Sequence, residues 1–322
     1  MQLNEVIKQF LSHCRYNKKL SPHTLRAYTI DLEQFKTYVA KNIDITACDR
    51  NLIRGYIQYL FEERGLKESS VKRRIACLKA VFGWLEDEMV IERTPFYRLS
   101  LKIKLPKRLP KSLPKAELNP LLTAPLKALG FNNRKSYSSN TLIDAAKTRH
   151  GFIELTTQLS LELLFATGAR VGELTQIKVD DLDLEEGTIK IRGKGNRERQ
   201  VFLPDKYIYT LIHAYISARS RLLPETNNLL INTRGTQATP QLIRLYMRRA
   251  SKQANLTKRV TPHMLRHSAA THLLVAGLDI RYVQRLLGHQ SITTTQIYTH
   301  VGDTELKSAI RQKHPIGEIM EK

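Results

Sequence analysis

Residues 101–115, LKIKLPKRLPKSLPK, carry prolines at positions 106, 110 and 114 and six cations with no acid among them. Proline has no N–H to donate and its ring clashes with the preceding helical turn, so a helix does not run through this stretch and extended polyproline geometry is favoured. A stiff, non-helical strap is predicted. It divides the 322-residue chain into two pieces, each long enough to bury its own core. The domains expected are residues 1–100, a basic linker at 101–115, and residues 116–322. The strap's cations, Lys107 and Arg108 among them, suit a phosphate backbone; a merely solvated linker is the alternative reading.

Both pieces have a mainly helical pattern. Ser21 before Pro22 is an N-cap with proline at the first helical position, and Leu25, Tyr28, Leu32, Phe35 and Val39 recur at steps of three and four. A second helix is predicted from about residue 50 to 64, with Ile53, Ile57, Leu60 and Phe61 inward and Gly65 ending it. A third starts near a cap at Ser69 and Ser70 and aligns Val71, Ile75, Leu78, Phe82 and Leu85, leaving Lys72, Arg73 and Arg74 exposed. A small bundle follows for the first piece. In the second, helices are expected from residue 116, from about 151 to 165, and from about 205 onward. Residues 188–192 and 198–203 alternate across a turn at 193–196, which predicts an antiparallel hairpin. Residues 127–150 read as an extended surface loop, and Asp180, Asp181, Asp183, Glu185 and Glu186 as a solvated turn. The fold class expected is mainly α: a helical amino-terminal bundle plus a mixed, mostly α second domain with a small antiparallel β-sheet.

Lys and Arg number 52 against 30 Asp and Glu, for a formal net charge of +22. The excess runs along the whole chain and is densest in the strap. A polyanion partner accounts for it, because each phosphate neutralised releases a counterion and adds affinity independent of sequence. Membrane-surface binding would call for one strongly basic amphipathic helix, which the pattern does not contain. No apolar run approaches the roughly 20 residues of a membrane span, and MQLNEVIKQF lacks the grammar of a signal peptide, so a cytosolic protein is expected. Cys14, Cys48 and Cys77 are odd in number and far apart, which fits idle thiols and neither a zinc site nor a disulfide framework.

Chemistry concentrates after Ala166. Arg170 follows a Thr-Gly-Ala break and opens a helix, where backbone N–H groups also face anions. His263 and Arg266 lie three apart in a helical pattern, so both reach one ligand. Two guanidinium forks can hold the non-bridging oxygens of a phosphodiester and bind more strongly as charge develops in its transition state, at roughly 3 kcal/mol per well-placed donor. His289 and the hydroxyl of Tyr298 complete a phosphate clamp beside a nucleophile, which in so basic a chain points to phosphoryl transfer on nucleic acid. Any one of these residues alone would more often be packing or surface. His263 and His267 have zinc spacing, but Met264 stands where a metallohydrolase helix carries glutamate; no glycine loop ending in Gly-Lys-Ser or Gly-Lys-Thr exists for ATP.

ARVGEL, GKGNRER, HMLRH and LLGHQSITTTQIY, in that order, resemble the tyrosine recombinases, or phage-integrase-type recombinases, and most closely their Xer-type bacterial members. The resemblance covers nearly the whole chain and implies a core-binding domain, a linker and a catalytic domain. It places the catalytic set on Arg170, Lys194, His263, Arg266, His289 and Tyr298, with Glu173 supporting the first arginine. It implies attack by Tyr298 to give a 3′-phosphotyrosine and a free 5′-hydroxyl, with Lys194 as general acid and no metal or nucleotide cofactor. The ester energy is kept, so religation needs no ATP. A phenol titrates near about 10, a deficit of roughly 4 kcal/mol at neutral pH that neighbouring cations and a histidine can offset. The partners implied are double-stranded DNA recombination sites and further copies of the chain in a tetramer on DNA, the last helix, from about residue 303 to 313, docking on an adjacent subunit. A related recombinase or an accessory DNA-bending protein is also open, and the location implied is the bacterial cytoplasm at the nucleoid. Lys72, Arg73, Arg74, Arg244, Arg248 and Arg249 are candidate contacts to the DNA backbone. Residues 127–150 are longer than the usual connection in Xer-type relatives. The rival readings are a type IB topoisomerase and a catalytically silent DNA-binding protein of the same fold.

Overall fold

Ser21 caps its helix as its sequence position predicts, its Oγ accepting the Thr24 N–H at 3.2 Å. The structure, a computed structural model, describes residues 1–39, 42–101, 103–104, 112–133, 136–193, 198–288, 310 and 312–316. The chain divides into two compact units, Met1–Arg108 and Leu109–Lys322.

Among the described residues the first unit holds four α-helices: α1 (Leu3–Tyr16), α2 (Pro22–Val39), α3 (Arg50–Glu62) and α4 (Glu68–Asp87). Leu32 and Phe35 of α2, Ile53 and Leu60 of α3, and Val71, Ile75, Leu78, Phe82 and Leu85 of α4 are all buried in one core, joined by Val6 and Phe10 of α1. Two expectations fail locally. Phe61 is exposed rather than inward, because Tyr56, three residues from Ile53, fills the position on the buried stripe. Helix α4 starts at Glu68 with Lys67 as its N-cap and no side-chain cap, so neither Ser69 nor Ser70 begins it; Glu68 in the first turn suits the helix dipole instead.

A third correction concerns charge. Asp31 of α2 is only 2% exposed and meets Arg73 and Arg74 of α4. Arg74 is itself buried, its guanidinium donating to Gln34 Oε1 at 2.6 Å and Ser70 O at 3.3 Å. It is a strut inside the bundle and not a phosphate contact. Arg73 is half exposed but ion-paired to Asp31, and Lys72 is exposed.

The ends of the strap are anchored to the units they adjoin. Leu101 and Ile103 pack on the first core, and the buried Leu113 donates its N–H to Ser268 Oγ at 2.7 Å while its carbonyl meets His272 Nε2 at 2.9 Å. No helix occurs at the described strap residues before Lys115; Lys107 and Arg108 lie outside the described residues.

The second unit runs α5 (Lys115–Ala128), α6 (Ser139–Ala145), α7 (Arg149–Thr167), α8 (Val171–Leu174), β1 (Leu182–Asp183), β2 (Thr188–Arg192), β3 (Glu198–Phe202), α9 (Lys206–Ser220), α10 (Pro240–Gln253), α11 (Pro262–Val275) and α12 (Ile280–Leu287). Helix α7 is buried on nearly every side and packs against α5, α9, α10 and α11, as a helix apolar all round must. The hydroxyls of Thr156, Thr157, Ser160 and Thr167 each return to the carbonyl four residues earlier, so these four hydroxyls are satisfied within the helix. The predicted hairpin is the antiparallel pair β2 and β3, with Ile189 opposite Val201, and β1 extends it to three strands in the order β1-β2-β3.

Residues 127–150 are not one loop. Ser138 and Thr141 form a capping box that starts α6, and Leu142, Ala146 and Tyr137 bury into the core beside α9. The acidic run 180–186 is not all solvated either. Asp181 is buried, accepting from the Lys178 N–H at 2.9 Å and from Arg192 at 2.6 Å. At the end of the chain Ile310 and Ile316 are buried in the core of their own unit, and His314 Nε2 meets Ala166 O at 3.2 Å. Among the described residues no helix is long and apolar enough to cross a membrane.

Candidate active site

Helix α7 stops at Gly168, whose φ of +59° is left-handed and needs glycine; Leu287 of α12 would also stand 2.4 Å from any Cβ there. Two residues later Arg170 caps the single-turn α8. Thr261 caps α11 through its Oγ1, and Pro262 follows at the first turn. This sets His263 at the surface and Arg266 beneath it, both lining a cleft of about 480 Å³ between α11 and α12. Helix α12 ends at Gly288, again left-handed with φ +63°.

Arg266 is 6% exposed and bridges these elements. One terminal nitrogen donates to Gly168 O at 2.5 Å and the other to Leu287 O at 2.7 Å. Burial, reinforced by the neighbouring Arg170, lowers its pKa to about 10, so it stays a cation at neutral pH.

Glu173 is shared by two arginines. Its Oε1 accepts from the Arg170 guanidinium at 2.6 Å; its Oε2 accepts from the Arg170 N–H at 3.0 Å and from Arg199 at 2.7 Å. Because the Glu173 carboxylate occupies that N–H, the amide at the start of α8 is not free for an anion, contrary to what its helix-start position suggests. Burial by itself would raise the Glu173 carboxyl, but the hydrogen bonds from Arg199 and Arg170 outweigh it and hold the group below its ordinary value. Three guanidiniums around one carboxylate leave the site net positive, the right charge for a phosphodiester.

A pH dependence follows from that depressed carboxyl. A carboxyl that titrates lower in the folded than in the unfolded chain adds stability above its unfolded value, near about 4.3, and loses it as pH falls through the folded value. Denaturant titrations are expected to show Glu173's contribution intact at neutral pH and declining only below the ordinary glutamate range. Glu173→Gln should flatten that acid limb; an unchanged limb contradicts the assignment.

The structure therefore brings Arg170, Glu173, His263 and Arg266 to one place. Lys194, His289 and Tyr298 lie outside the described residues. Arg199 is the member that the motifs do not single out. Its signal is parity: in β3 it shares a face with the buried Val201, an inward position for a cation. On α10, Arg244 and Arg248 are exposed, whereas Arg249 turns back toward the buried Glu154 at 3.5 Å. Among the described residues no three His, Cys, Asp or Glu side chains gather as a metal site.

Residues 136–305 match the phage integrase family, and residues 7–89 match the phage integrase N-terminal SAM-like domain. The chain belongs to the phage integrase family. It is 34% identical over 317 residues to tyrosine recombinase XerD of Staphylococcus saprophyticus, spanning 97% of this chain and 99% of that protein. A crystal structure of the XerH site-specific recombinase bound to its difH substrate, a pre-cleavage complex, superposes with a TM-score of 0.66 at 25% identity over 97% of this chain and 83% of that one. A lambda integrase tetramer bound to a Holliday junction shares the fold, with a TM-score of 0.66 at 18% identity over 91% of this chain and 76% of its own. This chain is thus a site-specific tyrosine recombinase of Xer type, mainly helical with one small antiparallel sheet; the topoisomerase and silent-binder readings find no support among these relatives.

Proposed function

We propose that this recombinase cuts and rejoins duplex DNA at paired recombination sites, with Tyr298 as nucleophile. The Tyr298 hydroxyl attacks the scissile phosphorus, its proton passing to His263; a phosphotyrosine forms at the 3′ end as the P–O5′ bond breaks, and Lys194 protonates the departing 5′-oxygen. Attack by a 5′-hydroxyl of the partner duplex reverses these steps and frees the tyrosine. The number of phosphodiesters is conserved, so neither ATP nor a metal is consumed. Arg170 and Arg266 hold the non-bridging oxygens, His289 donates to one of them, and Glu173 keeps Arg170 in place. The observation that supports this reading best is the sharing of Glu173 by Arg170 and Arg199 beside the buried Arg266, cations held in place before any phosphate arrives.

Residues 1–100 serve as the core-binding half of a DNA clamp, 101–115 as its basic link and 116–322 as the catalytic half. Lys72, Arg73, Arg244 and Arg248, with Lys107 and Arg108 of the strap, contact phosphates; Arg249, partly held by Glu154, is a weaker candidate and Arg74 is withdrawn. Exchange joins two duplexes in register, so four copies assemble on DNA, with a related recombinase or a DNA-bending protein as further partners. Trading carboxy-terminal segments between copies would replace the contacts that Ile310, His314 and Ile316 make in their own chain. The activity belongs to the cytoplasm, at the nucleoid, a reading that the bacterial relatives and a DNA substrate support.

Two duplexes carrying the site recovered by DNA pulldown, with flanks of different length, test the proposal. Holliday junctions and exchanged flanks are expected without added metal or ATP. Relaxation of supercoils with parental flanks only would contradict it.

A further inference from the structure

Arg199 is not part of the chemistry proposed above, yet it touches most of the elements that carry it. Its Nε donates to Leu286 O at 3.1 Å, at the last turn of α12, and a terminal nitrogen donates to Glu173 Oε2 at 2.7 Å. The side chain is 14% exposed and lies against Gly288, where a Cβ would meet its Cδ at 3.2 Å and its guanidinium at 3.3 Å. That glycine is required twice, by its positive φ and by this contact.

The hydrogen bonds close into a ring. From Arg170 it passes to Glu173, then to Arg199, then to the carbonyl of Leu286; the next carbonyl, that of Leu287, is held by Arg266, which also holds Gly168 O, two residues before Arg170. Five separate stretches of chain meet in this ring: the α7–α8 turn, α8, β3, the end of α12 and α11. Each contact is at least half buried and charge-assisted, the class of hydrogen bond worth roughly twice a neutral one.

In sequence Gly288 at the end of α12 is followed directly by His289, and β3 begins four residues after Lys194. We propose that Arg199 is a positioning residue of the recombinase: it ties the end of α12, which precedes His289 and Tyr298 in sequence, and strand β3, which follows Lys194 in sequence, to the Glu173–Arg170 half of the phosphate clamp. Arg199 acts through Glu173 and the α12 carbonyl. The proposal rests on Arg170 and Arg266 forming that clamp.

The consequence is a division of labour among neighbouring arginines. Loss of Arg199 leaves the clamp cations present, so DNA affinity changes little, while the catalytic groups lose their mutual placement; a misplacement of about 1 Å costs on the order of 100-fold in rate.

Arg199→Met and Arg199→Lys in the full-length protein test this by two independent readouts. On saturating nicked duplex, Arg199→Met is expected to form covalent adduct about 100-fold more slowly with affinity within about threefold of the unaltered protein, and Arg199→Lys, which keeps one donor on the α12 carbonyl, to recover most of the rate. In the protein without DNA, amide hydrogen exchange across residues 280–288 is expected to accelerate in Arg199→Met and to stay slow in Arg199→Lys. Unchanged exchange, or adduct formation at the normal rate, overturns the proposal. Parallel loss of melting temperature, affinity and rate in both variants also overturns it, as the mark of a fold contact alone. Exchange does not depend on catalysis, so an unaltered protein that makes no Tyr298 adduct would refute the function and leave this contact to be judged by itself.

Discussion

Tyr298→Phe is expected to form no covalent adduct on a nicked duplex while binding that duplex with affinity within about threefold of the unaltered protein. The two halves of this result have separate physical origins. Affinity comes from many phosphate contacts spread over a chain of net charge +22, and one hydroxyl adds little to it. Covalent attachment needs a nucleophile, and phenylalanine has none; removing the nucleophile of a covalent enzyme typically costs on the order of 10⁶-fold, below detection in a trapping gel. Peptide mapping of the adduct on the unaltered protein should place the nucleotide on Tyr298. An adduct that persists in Tyr298→Phe, or one that maps to Tyr282 on α12, contradicts the assignment.

Arg266→Ala carries the second-largest effect, and it is expected to be double. As a ligand of the phosphate, Arg266 supplies charge-assisted donors in the transition state, and its loss should slow adduct formation by about 10²–10³-fold. As a strut it donates to Gly168 O and Leu287 O, two carbonyls at a buried site. An unsatisfied buried carbonyl costs about 1–3 kcal/mol, offset in part because the guanidinium no longer has to be kept out of water. A net loss of about 2 kcal/mol is expected, or roughly 4–8 °C in melting temperature. Arg266→Lys should keep the charge but not the fork, restoring part of the stability and little of the rate. A variant that melts normally yet fails to cut would mean that the carbonyl contacts contribute nothing; one that cuts normally would remove Arg266 from the clamp.

How far the fold could be read in advance depended on how local its cause was. Helix α2 declares itself through Ser21, Pro22 and five apolar residues at helical spacing, all within one segment. The β2–β3 hairpin does so through alternation over five residues on each side. Helix α6 did not: it is one short stretch of seven residues, held by its packing of Leu142 and Ala146 beside α9, which no local pattern shows. Arg74 and Asp181 misled because a charge is expected in water unless a partner is supplied. Those partners, Asp31 at 43 positions away and Arg192 at 11, cannot be found by periodicity.

By itself the sequence determined the two-unit plan, the placement of His263 and Arg266 on one helical face, and the family, because proline chemistry, helical period and motif order are properties of neighbouring residues. Tertiary structure decided that Arg266 spends two donors on main-chain carbonyls, that Glu173 serves two arginines, and that Arg199 belongs with them. Hydrogen-bond partners in a folded chain are set by which backbone ends converge, and convergence of residues 21 to 98 positions apart is a result of packing.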